Sequence, residues 1–206
     1  MKIDLHVHTM ISSTCSHIDP EECIEAARAA GLDAICVTEH ETLEGGLVMK
    51  EIGEKSGFAV FAGMELVSRE GHILVYGYGG EIKGVPPAAE IVAMVEEAGG
   101  IAVPAHPWRR GFGWYSGAIE RPLEETEFAR MFKVVEMYNG TNTRDMNRTA
   151  EEFCRATGVR GMGGSDAHVI SQVGAAFTVF DDEIEDEAGL AAALMGGRFH
   201  AELREE

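Results

Sequence analysis

The sequence predicts an α/β fold in one domain spanning residues 1–206, a small or incomplete barrel of the TIM type with strands inside and helices outside. Three observations predict it. Short apolar runs alternate with amphipathic helical stretches from end to end, and six or more such βα units fit into 206 residues. No GxGxxG follows the first strand, so an open dinucleotide-binding sheet loses support. No internal repeat, low-complexity segment or Pro/Ser-rich linker divides the chain.

Each element has a local reason. Ile3-Asp4-Leu5-His6-Val7-His8 alternates with period two, which places Ile3, Leu5 and Val7 on one face and Asp4, His6 and His8 on the other. Asp19-Pro20-Glu21-Glu22 supplies an N-cap, a proline at the first helical position and a capping-box glutamate; Cys23, Ile24 and Ala27 form the apolar stripe, and Gly31 ends the helix. Ala34–Thr38 reads as a strand, Leu47–Lys55 as a helix, and Ala59–Glu65 and His72–Tyr78 as strands joined by a short turn at Arg69-Glu70-Gly71. Pro87–Ala98 is a helix stopped by Gly99-Gly100, and Ile101–Ala105 is the next strand. A polar and aromatic loop runs from Pro107 to Pro122, followed by a helix over Glu124–Met131. Lys133–Tyr138, Asp145–Ala156, Val159–Gly163, Phe177–Phe180 and Glu187–Met195 complete the pattern as strand, helix, strand, strand and helix. Repeated units with short connections predict a parallel sheet.

Composition narrows the function. With 45% hydrophobic and 25% charged residues the chain can fill a core. No run of about 18 apolar residues exists, so no membrane span is expected. The N-terminal MKIDLHVHT lacks the apolar region of a signal peptide, and the four cysteines show no CxxC spacing, so a reducing cytoplasm is the expected compartment. The formal charge of −18, from 35 acids and 17 bases, argues against a long nucleic-acid partner. A small phosphorylated substrate stays compatible, because bound metal ions reverse the field inside a pocket. The acidic run from Asp181 to Glu187 reads as a solvated helix start.

The residues with chemistry gather at strand ends. His6 and His8 close the first strand, His40 follows the second and Glu65 ends the third; His72 opens the fourth, His106 follows Ala105, and Asp166 and His168 follow the late strand. Residues two apart on a strand point the same way, so His6 and His8 can chelate one ion, as can Asp166 and His168 if their turn stays extended. A single histidine at a strand end is usually a structural hydrogen-bond partner. So many at neighbouring ends point instead to metal, since buried imidazoles and carboxylates are costly unless paired or metal-bound.

The segments DLHVHT, VTEH, GMEL, GHILV, PAHP and GSDAH, in this order from residue 1 to about 180, resemble the PHP (polymerase and histidinol phosphatase) superfamily. The resemblance implies a distorted TIM-like (βα)7 barrel and a hydrolase with two or three divalent ions. By position it implies that His6, His8, Glu65 and Asp166 hold a first metal, that Glu65 bridges to a second held with His72 and His106, and that His40 with His168 holds a third. Two departures stand out. Glu39 occupies the position where the family usually has Asp, and the stretch Ser12-Ser13-Thr14-Cys15-Ser16-His17 replaces an expected Asp or His ligand of the third metal. Cys15 or His17 is a candidate substitute there or a plain loop residue, and a thiolate would favour zinc or iron over magnesium.

The expected reaction is hydrolysis of a phosphate ester. Two ions bridged by a carboxylate lower the pKa of a shared water to give hydroxide and clamp the oxygens of an in-line displacement. Zinc, manganese or iron suits this donor set better than magnesium. Arg109 and Arg110 on the loop after His106 are candidates to bind phosphate oxygens, with Arg144 a further one. His40 or His168 could protonate the leaving alkoxide if the third metal is absent. Trp108, Phe112, Trp114 and Tyr115 either stack on the substrate or cover the barrel mouth. A small phosphorylated metabolite (a nucleotide, a sugar phosphate or histidinol phosphate) is the first substrate reading. The alternatives are a phosphodiesterase or exonuclease on short oligonucleotides and a non-catalytic metal-binding barrel. An amidohydrolase fits the paired arginines less well.

Overall fold

In the computed structural model, which describes residues 1–109, 114 and 125–204, the chain begins with β1 (Lys2–Val7). This strand pairs in parallel with β2 (Ala34–His40), and β2 pairs in parallel with β3 (Ala59–Val67). Between them lie α1 (Pro20–Ala29) and α2 (Glu44–Ser56). The start of α1 is set by Asp19, whose carboxylate accepts from the backbone N–H of Glu21 and Glu22, with Pro20 at the first position. Helix α2 begins three residues earlier than its apolar pattern predicts, at Glu44, whose N–H donates to Thr42 Oγ1.

The expected parallel sheet is then interrupted. Strand β4 (His72–Tyr76) runs antiparallel to β3, and β5 (Ile101–Pro104), reached through α3 (Ala88–Glu97), runs antiparallel to β4. The connection from Val67 to His72 is too short to cross over, because a parallel return needs roughly a dozen residues. A separate parallel pair follows, β6 (Val134–Asn139) and β7 (Arg160–Gly164), with α4 (Glu125–Met131) before it and α5 (Arg144–Thr157) between. Strand β8 (Ala176–Phe180) pairs antiparallel with β1, and α6 (Glu187–Gly196) leads to β9 (Phe199–Leu203), antiparallel to β8. The result is a mixed seven-stranded sheet of order β5-β4-β3-β2-β1-β8-β9 with a two-stranded companion β6-β7. A strict seven-fold βα repeat is not what the described residues form.

Two seams join the sheets. Past the end of β7, Asp166 N donates to His6 O (2.6 Å), and His8 N donates to Ala167 O (3.1 Å). Past the end of β5, His106 N donates to Glu136 Oε2 of β6 (2.5 Å). The strands therefore enclose an interior filled by Ile3, Leu5, Phe61, Leu74, Tyr76 and Met162, with Leu190 and Leu194 of α6 packed onto it. Val7 joins a different core, with Ile18, Ile24 and Val37 beneath α1 and α2. The register of β1 on β2 shifts between Asp4 and Val7, so the six-residue alternation predicted for β1 does not run through. The acidic run ahead of α6 is a helix start as expected: Asp186 accepts from Gly189 N (2.7 Å).

Candidate metal centre

Antiparallel β4 explains why a histidine that opens a strand can meet residues that close others. Val67 at the end of β3 pairs with His72, so the start of β4 lies at the same rim as the ends of β2 and β3. His6 and His8 reach that rim from β1, His40 and Glu65 from β2 and β3, and His106, Asp166 and His168 from the turns after β5 and β7. His106 (φ 31°) and Asp166 (φ 54°) adopt left-handed backbone, a strain of about 1–3 kcal/mol each that marks functional turns.

Glu65, 2% exposed, is the hub. Its Oε2 lies 3.5 Å from His6 Nε2 and 3.3 Å from His8 Nε2; those two nitrogens are 3.0 Å apart, and Asp166 Oδ1 lies 3.4 and 3.5 Å from them. Its other oxygen, Oε1, lies 3.0 Å from His72 Nδ1 and 3.0 Å from His106 Nε2. Donors sharing one ion at about 2.0–2.2 Å in tetrahedral geometry sit roughly 3.3–3.6 Å apart, close to these spacings. Three groups of potential ligands thus converge: His6, His8 and Asp166; Glu65, His72 and His106; and His8, His40 and His168. Asp166 and His168 fall in different groups, because the turn between them does not stay extended and His168 Nδ1 faces Asp166 O (2.9 Å).

The donor set fits divalent ions. Burial opposes ionisation of Glu65, yet His6, His106 and His40 hold its carboxyl well below the usual carboxylate range. Burial likewise opposes charge on Asp166, and His6 and His8 keep it ionised. Burial also disfavours a charged His6, but Asp166, Glu136 and Glu65 lift it well above the ordinary imidazole range. A divalent ion held by these residues would supply positive charge to the same carboxylates that favour a charged His6. His106 Nδ1 is buried without a hydrogen-bond partner among the described residues.

Supporting residues surround the donors, and two of them, Glu136 and Asp4, were not legible in the strand pattern. Glu136, fully buried in β6, lies 2.8 Å from His6 Nδ1 through its Oε1. Asp4, placed by alternation on the histidine face, instead accepts from Ser165 N (2.7 Å) and Gly174 N (2.9 Å). Glu39 accepts from Thr9 N (3.1 Å), Thr9 Oγ1 (2.5 Å) and Ser13 Oγ, while Ser13 Oγ lies 3.3 Å from His8 Nδ1. The available signal was a carboxylate inside an otherwise apolar strand, as in VVEMYN.

Other expected residues lie elsewhere. Arg109 is not an open phosphate clamp: its Nη1 pairs with Asp166 Oδ2 (2.7 Å), and its Nε and Nη2 donate to Asn142, Asn139 and Thr141. Arg110, Phe112 and Tyr115 lie outside the described residues. Arg144 lines a separate cavity of about 530 Å³ with Asn142, Asn147 and Arg204. Trp108 packs on Phe153, and Trp114 packs on Phe128 and Phe132 while donating to His72 O, so both indoles belong to the wall. His17 is exposed and joins no ligand group among the described residues. Cys15 is exposed with its sulfur 3.4 Å from His40 Nε2.

Two family descriptions match the chain, PHP domain over residues 4–100 and PHP-associated over residues 144–199. An uncharacterized protein of Methanocaldococcus jannaschii is 30% identical over 118 residues, 52% of this chain and 68% of that protein. The chain belongs to the PHP family. Among solved structures, a two-domain Bacteroides vulgatus protein containing a predicted PHP-like metal-dependent phosphoesterase is similar at a TM-score of 0.75 and 20% identity, covering 99% of this chain and 65% of that one. PsfC from Pseudomonas syringae PB-5123 is similar at a TM-score of 0.72 and 22% identity, covering 98% and 91%. These likenesses place the PHP-family chain in the fold of those structures. Among its described residues no helix is long and apolar enough to cross a membrane.

Proposed function

We propose that this PHP-family chain is a metal-dependent hydrolase of phosphate esters that acts on a small phosphorylated metabolite at a centre of two or more divalent ions. The observation that carries the reading is the split of Glu65 between two donor groups, Oε2 toward His6 and His8 and Oε1 toward His72 and His106. Ions held by these residues would supply Lewis acidity toward phosphoryl oxygens and acidify a water as nucleophile. The PHP-like phosphoesterase predicted in the Bacteroides vulgatus protein supports the same class of reaction.

The chain's own residues orient this chemistry. The Nδ1–H of His6 donates to Glu136, which directs the lone pair of Nε2 toward the cluster. Arg109 holds Asp166 by Oδ2 while Oδ1 faces the histidines, so Arg109 is a positioning residue. His40, His72 and His168 are partly exposed whereas His6, His8, Glu65 and Asp166 are buried, so a substrate approaches from the first three. A formal charge of −18 disfavours long polyanions over about 8 Å at physiological salt, whereas a small anion stays compatible because ions in the site would reverse the local field.

The test is phosphate release from p-nitrophenyl phosphate and a panel of nucleotides, sugar phosphates and histidinol phosphate. Metal-stripped protein is supplied with Mn, Zn, Fe or Mg beside a His6→Ala control. Metal-dependent release that the substitution abolishes is expected. Protein that binds two or more ions per chain and releases nothing would overturn the phosphomonoesterase reading and move the assignment to short oligonucleotides.

A further inference from the structure

The loop after β6 is a wall with two sides. Asn139 and Thr141 face the centre, where Asn139 Nδ2 lies 3.4 Å and Thr141 Oγ1 3.1 Å from Asp166 Oδ2. Gly140 and Asn142, alternating with them, line the separate cavity of about 530 Å³. Gly140 packs closely: a Cβ there would lie 2.7 Å from Ala175 Cβ and 2.9 Å from the carbonyl oxygen of Ser165, the neighbour of Asp166. Asn142 bonds in both directions. Its Oδ1 accepts from Arg109 Nε (3.1 Å), and its Nδ2 donates to Asn147 Oδ1 (3.3 Å). Arg109 in turn holds Asp166 Oδ2 (2.7 Å).

The cavity is cationic against the composition of the chain. Acids outnumber bases 35 to 17, yet its described lining includes Arg144 and Arg204 and no acid. Arg204 donates through Nη1 to Val173 O (3.0 Å) and through Nη2 to Ser171 O (3.1 Å), bonds that fix its guanidinium in the wall. Buried Asn147 accepts from Asn139 N (3.2 Å) and donates to Asn139 O (3.1 Å), so the polar floor is held to the end of β6. Leu203 adds apolar surface. Guanidinium groups recognise carboxylate and phosphate oxygens through paired N–H donors, and a cavity of this size admits a small molecule.

We propose that this cavity binds a small oxyanion, a carboxylate or phosphate group carried by a metabolite, between Arg144 and Arg204, and that its occupancy is felt at Asp166 through Asn142 and Arg109. The site lies outside the metal centre, and only its coupling rests on the metal-dependent reading above. An anion that takes up the Asn142 amide fixes the loop against Arg109, and Asp166 Oδ1 stays aimed at His6 and His8. By linkage the anion raises metal affinity, and the metal raises anion affinity by the same factor.

Two probes test it, inorganic phosphate and succinate, titrated calorimetrically into the metal-stripped chain beside Arg144→Gln, Arg204→Gln and the control Arg148→Gln. Arg148 pairs with Asp145 and Glu152 on α5 and is not among the lining residues. Circular dichroism checks each fold. Expected is binding of at least one probe that either cavity variant weakens about tenfold or more and that the control preserves. Binding of phosphate alone assigns a phosphorylated ligand, and binding of succinate alone a carboxylate. Zinc affinity, read by chelator competition with and without the bound probe, is expected to rise about fivefold in the wild type and to stay unchanged in Arg144→Gln. No binding of either probe, or binding that survives both cavity variants, would overturn the site. Binding with unchanged zinc affinity would overturn the link to Asp166. Anion binding without any zinc uptake would overturn the metal-dependent reading and the link, and leave the site standing.

Discussion

His6 finds its hydrogen-bond partner 130 residues along the chain, in Glu136. The same carboxylate accepts from His106 N and Asn139 Nδ2, so it ties ligands of two donor groups to β6. Glu136→Gln is predicted to lower metal affinity about 10–100-fold, because its amide would face the His106 N–H donor to donor. Competition with a chelator measures this, and circular dichroism checks the fold; unchanged affinity would refute the role. Asp4 supplies a pH dependence. Burial pushes its carboxyl up to about 6, against the N–H groups of Ser165, Gly174 and His6 that favour its charge. The folded state therefore binds this proton more tightly than the unfolded state does. Stability from Asp4 is fully present below about pH 4 and is lost as pH rises through about 6, on the order of 3 kcal/mol in all. The unfolding free energy of the wild type relative to Asp4→Asn should fall between about pH 4 and pH 7; a pH-independent difference would contradict the assignment. The metal-ligand candidates were legible because histidines at successive strand ends are chemically conspicuous. Glu136 and Asp4 were not, since a single carboxylate in a strand does not say which distant donors it meets.

Helix α2 packs on β2 and β3 through Gly45 and Gly46. A Cβ at Gly45 would lie 2.6 Å from Glu39 Cγ and 2.7 Å from its Oε1, so this glycine makes the room that the longer Glu39 needs. Gly45→Ala is predicted to cost about 1–3 kcal/mol of stability, and Glu39→Asp in the same chain to recover part of it by shortening the carboxylate. Urea unfolding of the single and double variants measures both, and a Gly45→Ala protein as stable as wild type would contradict the packing. Helix limits were readable from local chemistry, as in Asp19 before α1 and Gly31, with φ 74°, after it. Strand direction was less readable. The reversal at β4 depends on the length of the connection after Val67, and β9 escaped notice because its FHAEL run is short and only partly buried, although Phe199, Ala201 and Leu203 alternate on one face.

At the scale of the molecule, buried Asp4, Glu39, Glu65, Glu136 and Asp166 lie inside a chain already carrying a formal charge of −18. Cations that bind only the folded state offset that excess. At free ion near 1,000 times its Kd a site adds about 4 kcal/mol, so a chelator should lower the Tm by on the order of 10 °C. An identical Tm with and without chelator would show that the centre binds nothing. The six motifs conveyed the rim as a whole because each places its residue at a strand end. They did not convey the mixed sheet, since the rim needs only that those ends meet. The most direct measurement is anomalous diffraction at the zinc edge from crystals grown with zinc. The predicted result is two peaks joined by Glu65, one at Oε2 with His6, His8 and Asp166 and one at Oε1 with His72 and His106. Peaks only outside the histidine cluster, or none within it at full zinc supply, would contradict the account.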